Sequence, residues 1–84
     1  MNTLEVQTED GSLQTIYVWD IINSALFRKT FIIYTFEDNS EDVYESILEE
    51  NDNSYTLSPI VREEEKKYID VEVERLSEEL QIKR

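Results

Sequence analysis

The chain has 84 residues, 39% of them hydrophobic and 11% aromatic, with 20 acidic against 8 basic side chains and a formal net charge of -12. That length fits one domain, residues 1–84, with a thin core, and that charge disfavours direct binding to nucleic acid or to an anionic membrane, both of which attract basic surfaces. With no cysteine and no histidine, the chain lacks disulfides, a thiol nucleophile, the usual zinc ligands and the commonest general base.

Residues 1–8 have neither a basic start nor an apolar stretch, so no signal peptide is expected. The missing cysteines fit a reducing, cytoplasmic location. Leu4-Glu5-Val6 alternates apolar and polar side chains and predicts a first strand. Asp10-Gly11 then marks a hairpin, because glycine accepts positive φ without a Cβ clash. The second strand runs from about Leu13 to Trp19. Two registers are open. A two-residue loop centred on Asp10-Gly11 sets Leu4 opposite Tyr17, so that Tyr17 and Trp19 share its face. A three-residue loop with Gly11 left-handed sets Leu4 opposite Ile16. A slip of one residue flips every side chain of the strand.

Residues 20–28 read as a connector whose Leu26 and Phe27 tuck under the sheet edge. Residues 30–36 form the clearest strand, β-branched or aromatic throughout, with Arg28, Lys29, Glu37 and Asp38 as charged gatekeepers. Its Phe31-Ile32-Ile33-Tyr34 segment is the longest strongly apolar run and is far too short to span a bilayer. After a turn at 37–41, residues 42–49 predict a strand with Val43 and Ile47 on one face and Tyr44 and Leu48 on the other. Residues 51–54 favour a turn that tolerates left-handed backbone, and residues 55–57 form a short last strand.

Ser58 and Pro59 then suit a helix cap and first turn. Glu63, Glu64 and Glu65 suit the positive end of a helix dipole. Ile69, Val73, Leu76 and Leu80 recur at helical spacing, and Glu63–Lys67 and Glu79–Lys83 fall at i,i+4. Residues 69–73 also alternate like a strand, but the flanking charged helix formers favour helix. The predicted class is α+β. An antiparallel meander of four to five strands (about 3–57) is covered by one C-terminal amphipathic helix (about 60–81), which lies across the sheet through Ile69, Val73, Leu76 and Leu80.

No catalytic constellation emerges. A single glycine leaves no Gly-rich phosphate cradle, and no serine has a histidine to activate it. With 20 acids in the chain, paired carboxylates arise by chance, and a glycosidase-type pair also needs a cleft. No enzyme activity, no cofactor and no catalytic residue are expected. Asp38, Ser40 and Asp42 do stand at positions 1, 3 and 5 of a calcium loop, with Glu49 at position 12. Position 6 is Val43, where such a loop needs glycine, so a hairpin turn with solvated acids is expected and no metal ligand is assigned.

Tyr17, Trp19, Tyr34, Tyr44 and Tyr55 all fall on predicted strands. Sheet aromatics can stack nucleic acid bases, but that requires interleaved lysine and arginine, and here the neighbours are acids. Core and cross-strand packing explains them more simply. An exposed aromatic patch with an acidic rim would instead be a protein-docking surface. Glu64, Glu72, Glu78 and Glu79 on the helix form either a solvated face or a field that steers a Lys/Arg-rich partner.

The expected function is therefore a non-catalytic protein-interaction module, an adaptor or regulator, binding a basic protein surface. The alternatives are a nucleic-acid mimic that occupies a basic groove and a weak divalent-cation binder using the acidic turns. The sequence assigns no partner-binding residue, and an exposed edge strand could pair two copies as a homodimer.

The order of these features resembles a small bacterial family called domain of unknown function 1292. The resembling residues are the Asp10-Gly11 hairpin, Phe31-Ile32-Ile33-Tyr34, Asp42-Val43-Tyr44-Glu45-Ser46-Ile47-Leu48, the turn at 51–54, Ser58-Pro59-Ile60 and the glutamate-rich helix start. The resemblance covers about residues 4–80. It implies a short acidic cytoplasmic protein of Gram-positive bacteria and their relatives, with strands followed by a helix. It implies no activity and no site residue.

Overall fold

The computed structural model describes residues 2–8, 10–38 and 42–79. Among these, five strands precede one helix: β1 (Asn2–Gln7), β2 (Leu13–Ser24), β3 (Lys29–Thr35), β4 (Tyr44–Glu50), β5 (Tyr55–Ser58) and α1 (Glu63–Glu79). The class is α+β, and consecutive strands pair antiparallel. The sheet is not an open meander, however. β1 meets β5 through Gln7 and Thr56 and closes it into a barrel. Four antiparallel steps return β5 to the direction of β1, so the closing pair is parallel.

Closure depends on β2. Its residues 13–18 pair with β1 and its residues 17–24 with β3. The register shifts between Val18 and Asp20, which makes Trp19 the extra residue of a bulge. Bulges bend a strand and increase its twist, and here the bend carries one strand between two neighbours. The strand therefore continues to Ser24 instead of stopping at Trp19, and the connector shrinks to a turn at 25–28. The bulge breaks the period-two alternation from which the strand end was predicted. The Trp19 indole nitrogen is buried without a hydrogen-bond partner among the described residues.

Within that turn, Phe27 packs edge-on against Phe31 and Tyr68, but Leu26 is 79% exposed and does not tuck under the sheet. Neighbouring side chains of a tight turn point apart, so only one of the two reaches the core. The Phe27 amide donates to Ser24 Oγ at 3.2 Å, and Arg28 closes the turn in the left-handed region at φ 54°.

The first hairpin adopts the three-residue loop. Leu4 faces Ile16, the Thr8 amide donates to the Ser12 carbonyl and Gly11 sits at φ 86°. Leu4, Val6, Ile16 and Val18 thus share the inner face, and Tyr17 does not. Asp10 Oδ1 accepts from the Ser12 amide at 3.0 Å, the Ser12 hydroxyl at 2.6 Å and the Thr8 hydroxyl. These bonds, the Ser12 hydroxyl foremost, lower the Asp10 pKa from 3.8 to about 2. A depressed carboxylate pKa contributes stability above its unfolded value, and that contribution is lost as pH falls through the folded value. Urea denaturation of wild type should therefore weaken more steeply between about pH 4 and 2 than that of Asp10→Asn; parallel acid limbs would refute this role.

β3 is covered on both faces. Val6, Ile16, Ile32 and Tyr34 fill the barrel, with Leu4, Val18, Leu48, Tyr55 and Leu57 packed around them. Strand alternation then sends Phe31 and Ile33 outward, yet both are fully buried. The helix lies on this side. Tyr68 contacts Phe31 and Phe27, Ile69 is buried, and Glu65 reaches Lys29.

The helix starts at Glu63, later than the predicted residue 60. Ser58 does not cap it. Ser58 ends β5, and its hydroxyl donates to Glu49 Oε1 at 2.7 Å. Of the predicted helix face, Ile69 is buried and Val73 and Leu76 are half-buried. Leu80, Lys83 and the predicted end at 81 lie outside the described residues. Among the described residues, the local ion pairs around the helix are Arg62–Glu64 and Arg75–Glu72, not Glu63–Lys67. No described helix is long and apolar enough to cross a membrane.

Candidate protein-docking surface

The β3–β4 register sets Tyr34 directly opposite Tyr44. Their rings stack at 6.0 Å with an interplanar angle of 27°. Phe36, on the same side of the chain two residues beyond Tyr34, packs edge-on against Tyr34 at 5.4 Å and against Tyr44 at 5.0 Å. Tyr34 is the buried anchor. Its hydroxyl shares a 2.9 Å hydrogen bond with Ser46 Oγ. Burial raises its pKa above the ordinary 10.0, opposed by the Ser46 bond, so the ring stays neutral over a wide pH range. Phe36 and Tyr44 remain 42% and 45% exposed.

Acids border this patch. Glu37, Asp38 and Asp42 are exposed, and Thr35 Oγ1 donates to the Glu37 carbonyl at 2.8 Å, which fixes how the chain leaves the patch. A groove of about 470 Å³ adjoins the rings, with Tyr44, Ser46 and Ile60 along it and Lys66, Ile69 and Asp70 contributed by the helix. The arrangement offers apolar ring surface for desolvation and carboxylates for orientation, the usual division between the core and rim of an interface.

The charge is unevenly divided. Residues 1–61 hold 12 acids against only Arg28 and Lys29, a net charge of -10, whereas residues 62–84 hold 8 acids and 6 basic residues, a net of -2. Strands β1, β2, β4 and β5 contain no lysine or arginine. The helix acids named from the sequence are partly neutralised where they stand. Glu64 lies 3.6 Å from Arg62, and Glu72 accepts from Arg75 at 2.6 Å. The helix, Glu63–Glu79, still holds 8 acids against Lys66, Lys67 and Arg75. Barrel and helix therefore both carry negative charge, and the barrel has fewer cations to offset its own. Both barrel cations line a second groove, of about 610 Å³, at the β2–β3 turn, and Lys29 is already engaged by Glu65 at 2.8 Å.

Of the calcium-loop positions, Asp38, Asp42 and Glu49 are described. Ser40 lies outside the described residues. Glu49 stands on β4 opposite Thr56, where it accepts from Ser58. Among the described residues no three acids converge as metal ligands.

Of the other aromatics, Tyr55 packs against the barrel core, Trp19 marks the bulge and Tyr17 is half-buried. Phe36 is the contributor that sequence reasoning placed only as a strand end. Its two-residue spacing from Tyr34 was the available signal. No family model, no curated protein and no solved structure matches the chain.

Proposed function

We propose that this chain is a non-catalytic protein-interaction module, an adaptor or regulator, which binds a basic protein surface through the Tyr34–Phe36–Tyr44 face. The observation that carries this reading is the pair of touching rings, 42% and 45% exposed, on a segment with a net charge of -10. Aromatic anchors dominate interface energetics. A partner's lysine or arginine can lie over a ring face, while the surrounding carboxylates accelerate encounter. The order of strands followed by one helix also supports membership of the family that the sequence resembles, and that membership adds no activity.

The test is binding of a captured partner to the immobilised full chain at low and high salt, with nuclease treatment as a control. Saturable binding should weaken at least about tenfold, or 1.4 kcal/mol, in Phe36→Ala and in Tyr44→Ala. Equal, non-saturating retention of every basic protein would refute the proposal. Displacement of the partner by duplex DNA would move the assignment to a nucleic-acid mimic.

A further inference from the structure

One residue pair closes the barrel. Gln7 and Thr56 are the only Cα partners between β1 and β5 among the described residues. β5 begins at Tyr55, one residue before that pair, and runs in the same direction as β1. Residues 2–5 of β1 therefore extend past its start. On its other side β1 is paired with β2 throughout, from Asn2 opposite Val18 to Gln7 opposite Leu13. The edge of residues 2–5 that faces away from β2 thus has no strand beside it among the described residues. Such an edge presents backbone donors and acceptors at the spacing of another strand.

The core is thin at the same place. Leu4 on β1 and Tyr55 and Leu57 on β5 pack against the buried cluster but are only partly buried themselves. Glu5 is exposed on β1, and Glu49, Glu50 and Asp52 are exposed along the β4–β5 hairpin. No basic residue lies on any of the three strands. A second copy of this chain would bring like charge against like charge at this edge, whereas a basic segment would not.

We propose that the basic partner adds an extended strand along residues 2–5 of β1, at the β1–β5 seam. Alternate apolar side chains of that strand cover Leu4 and Tyr55, and the intervening lysines or arginines face Glu5. Backbone pairing supplies affinity in this mode, and alternate side chains supply selection. The inference rests on the reading of a basic partner but not on the aromatic face, so the two can fail separately.

The experiment titrates the isotope-labelled full chain with a nine-residue peptide alternating valine and lysine, followed by NMR and by amide hydrogen exchange. Saturable shifts should centre on residues 2–7 and Tyr55, with slowed exchange at the β1 edge. Two further peptides carry N-methyl groups on one or the other alternate set of amides, which removes ladder donors and keeps the charge. At least one of them should bind about tenfold more weakly, and replacing the lysines by glutamates should abolish binding. Shifts confined to Phe36 and Tyr44, binding of both methylated peptides as tight as that of the unmethylated one, no binding at all, or pairing of two copies through β1 would each overturn the proposal. None of these results touches the Phe36→Ala and Tyr44→Ala test.

Discussion

Replacing Phe31 with alanine should cost about 3–5 kcal/mol in urea denaturation, the largest loss expected from any single truncation in this fold. A chain of this length has an expected total stability of about 4–12 kcal/mol, so the variant would stand near the threshold of folding. The side chain is fully buried. It sits on the outer face of β3, where it meets Phe27 at 6.2 Å edge-on and Tyr68 at 5.7 Å. Each such ring pair adds about 0.5–1.5 kcal/mol beyond the area it buries. Phe31 therefore joins three parts of the molecule: the β2–β3 turn, the central strand and the helix. Its removal should release the helix as well as lower stability. Amides of α1 should lose hydrogen-exchange protection before those of β3, an order not expected for Ile32→Ala, whose cavity lies inside the barrel. Leu26→Ala, at a side chain 79% exposed, should stay within about 0.5 kcal/mol of wild type. A Phe31→Ala loss below about 1 kcal/mol, the scale of an ordinary substitution, would show that the helix is held elsewhere.

That central role was legible in the sequence. A strand buried on both faces reads as an unbroken apolar and β-branched run, and Phe31-Ile32-Ile33-Tyr34 is such a run. The first hairpin was legible to within one residue, because Gly11 is the only glycine in the chain and its positive φ fixes the loop. Barrel closure was not legible. Gln7 and Thr56 are polar and 49 positions apart, and nothing local marks a pair that forms only after four hairpins have twisted the sheet. The length of β2 was hidden by its bulge, since the extra residue at Trp19 shifts the phase of everything after it.

The candidate site divides in the same way. Tyr34 and Tyr44 stood out as strand aromatics, but their contact requires the β3–β4 register, which the turn at 37–41 does not reveal. The charge was legible in part. The helix shows the densest run of glutamates, and Arg62, Lys66, Lys67 and Arg75 offset only half of its acids. The acids of residues 1–61 fall mostly between the strands, and the strands themselves contain almost no cation. Dividing the net charge at residue 61 exposes the asymmetry.

Glu65 is the residue whose environment the sequence disguised most, and its partner carries the second large effect. Within Glu63-Glu64-Glu65 it looks like one more acid at the positive end of the helix. It is also four residues before Ile69, on the stripe that continues to Val73 and Leu76, and so it enters the interface with β3 and is fully buried. Lys29 Nζ donates to its Oε2 at 2.8 Å, while Oε1 is buried with no partner among the described residues. A carboxylate withdrawn from water is tolerable only when paired. Lys29→Met keeps the aliphatic stem and removes the charge. Breaking a fully buried pair costs about 3–5 kcal/mol; because Lys29 keeps 35% of its side chain in solvent, about 2–4 kcal/mol is expected here. Glu65→Leu removes the costly carboxylate and leaves Lys29 able to reach water, so its loss should stay below about 1 kcal/mol. The double variant Lys29→Met with Glu65→Leu should recover most of the deficit, giving a coupling of at least about 1 kcal/mol in the cycle. A Lys29→Met loss of only about 0–1 kcal/mol, typical of a surface pair, would mean that Lys29 is not what permits Glu65 to be buried. A larger loss in Glu65→Leu than in Lys29→Met would instead assign the carboxylate a stabilising contact beyond its lysine, at the Oε1 side.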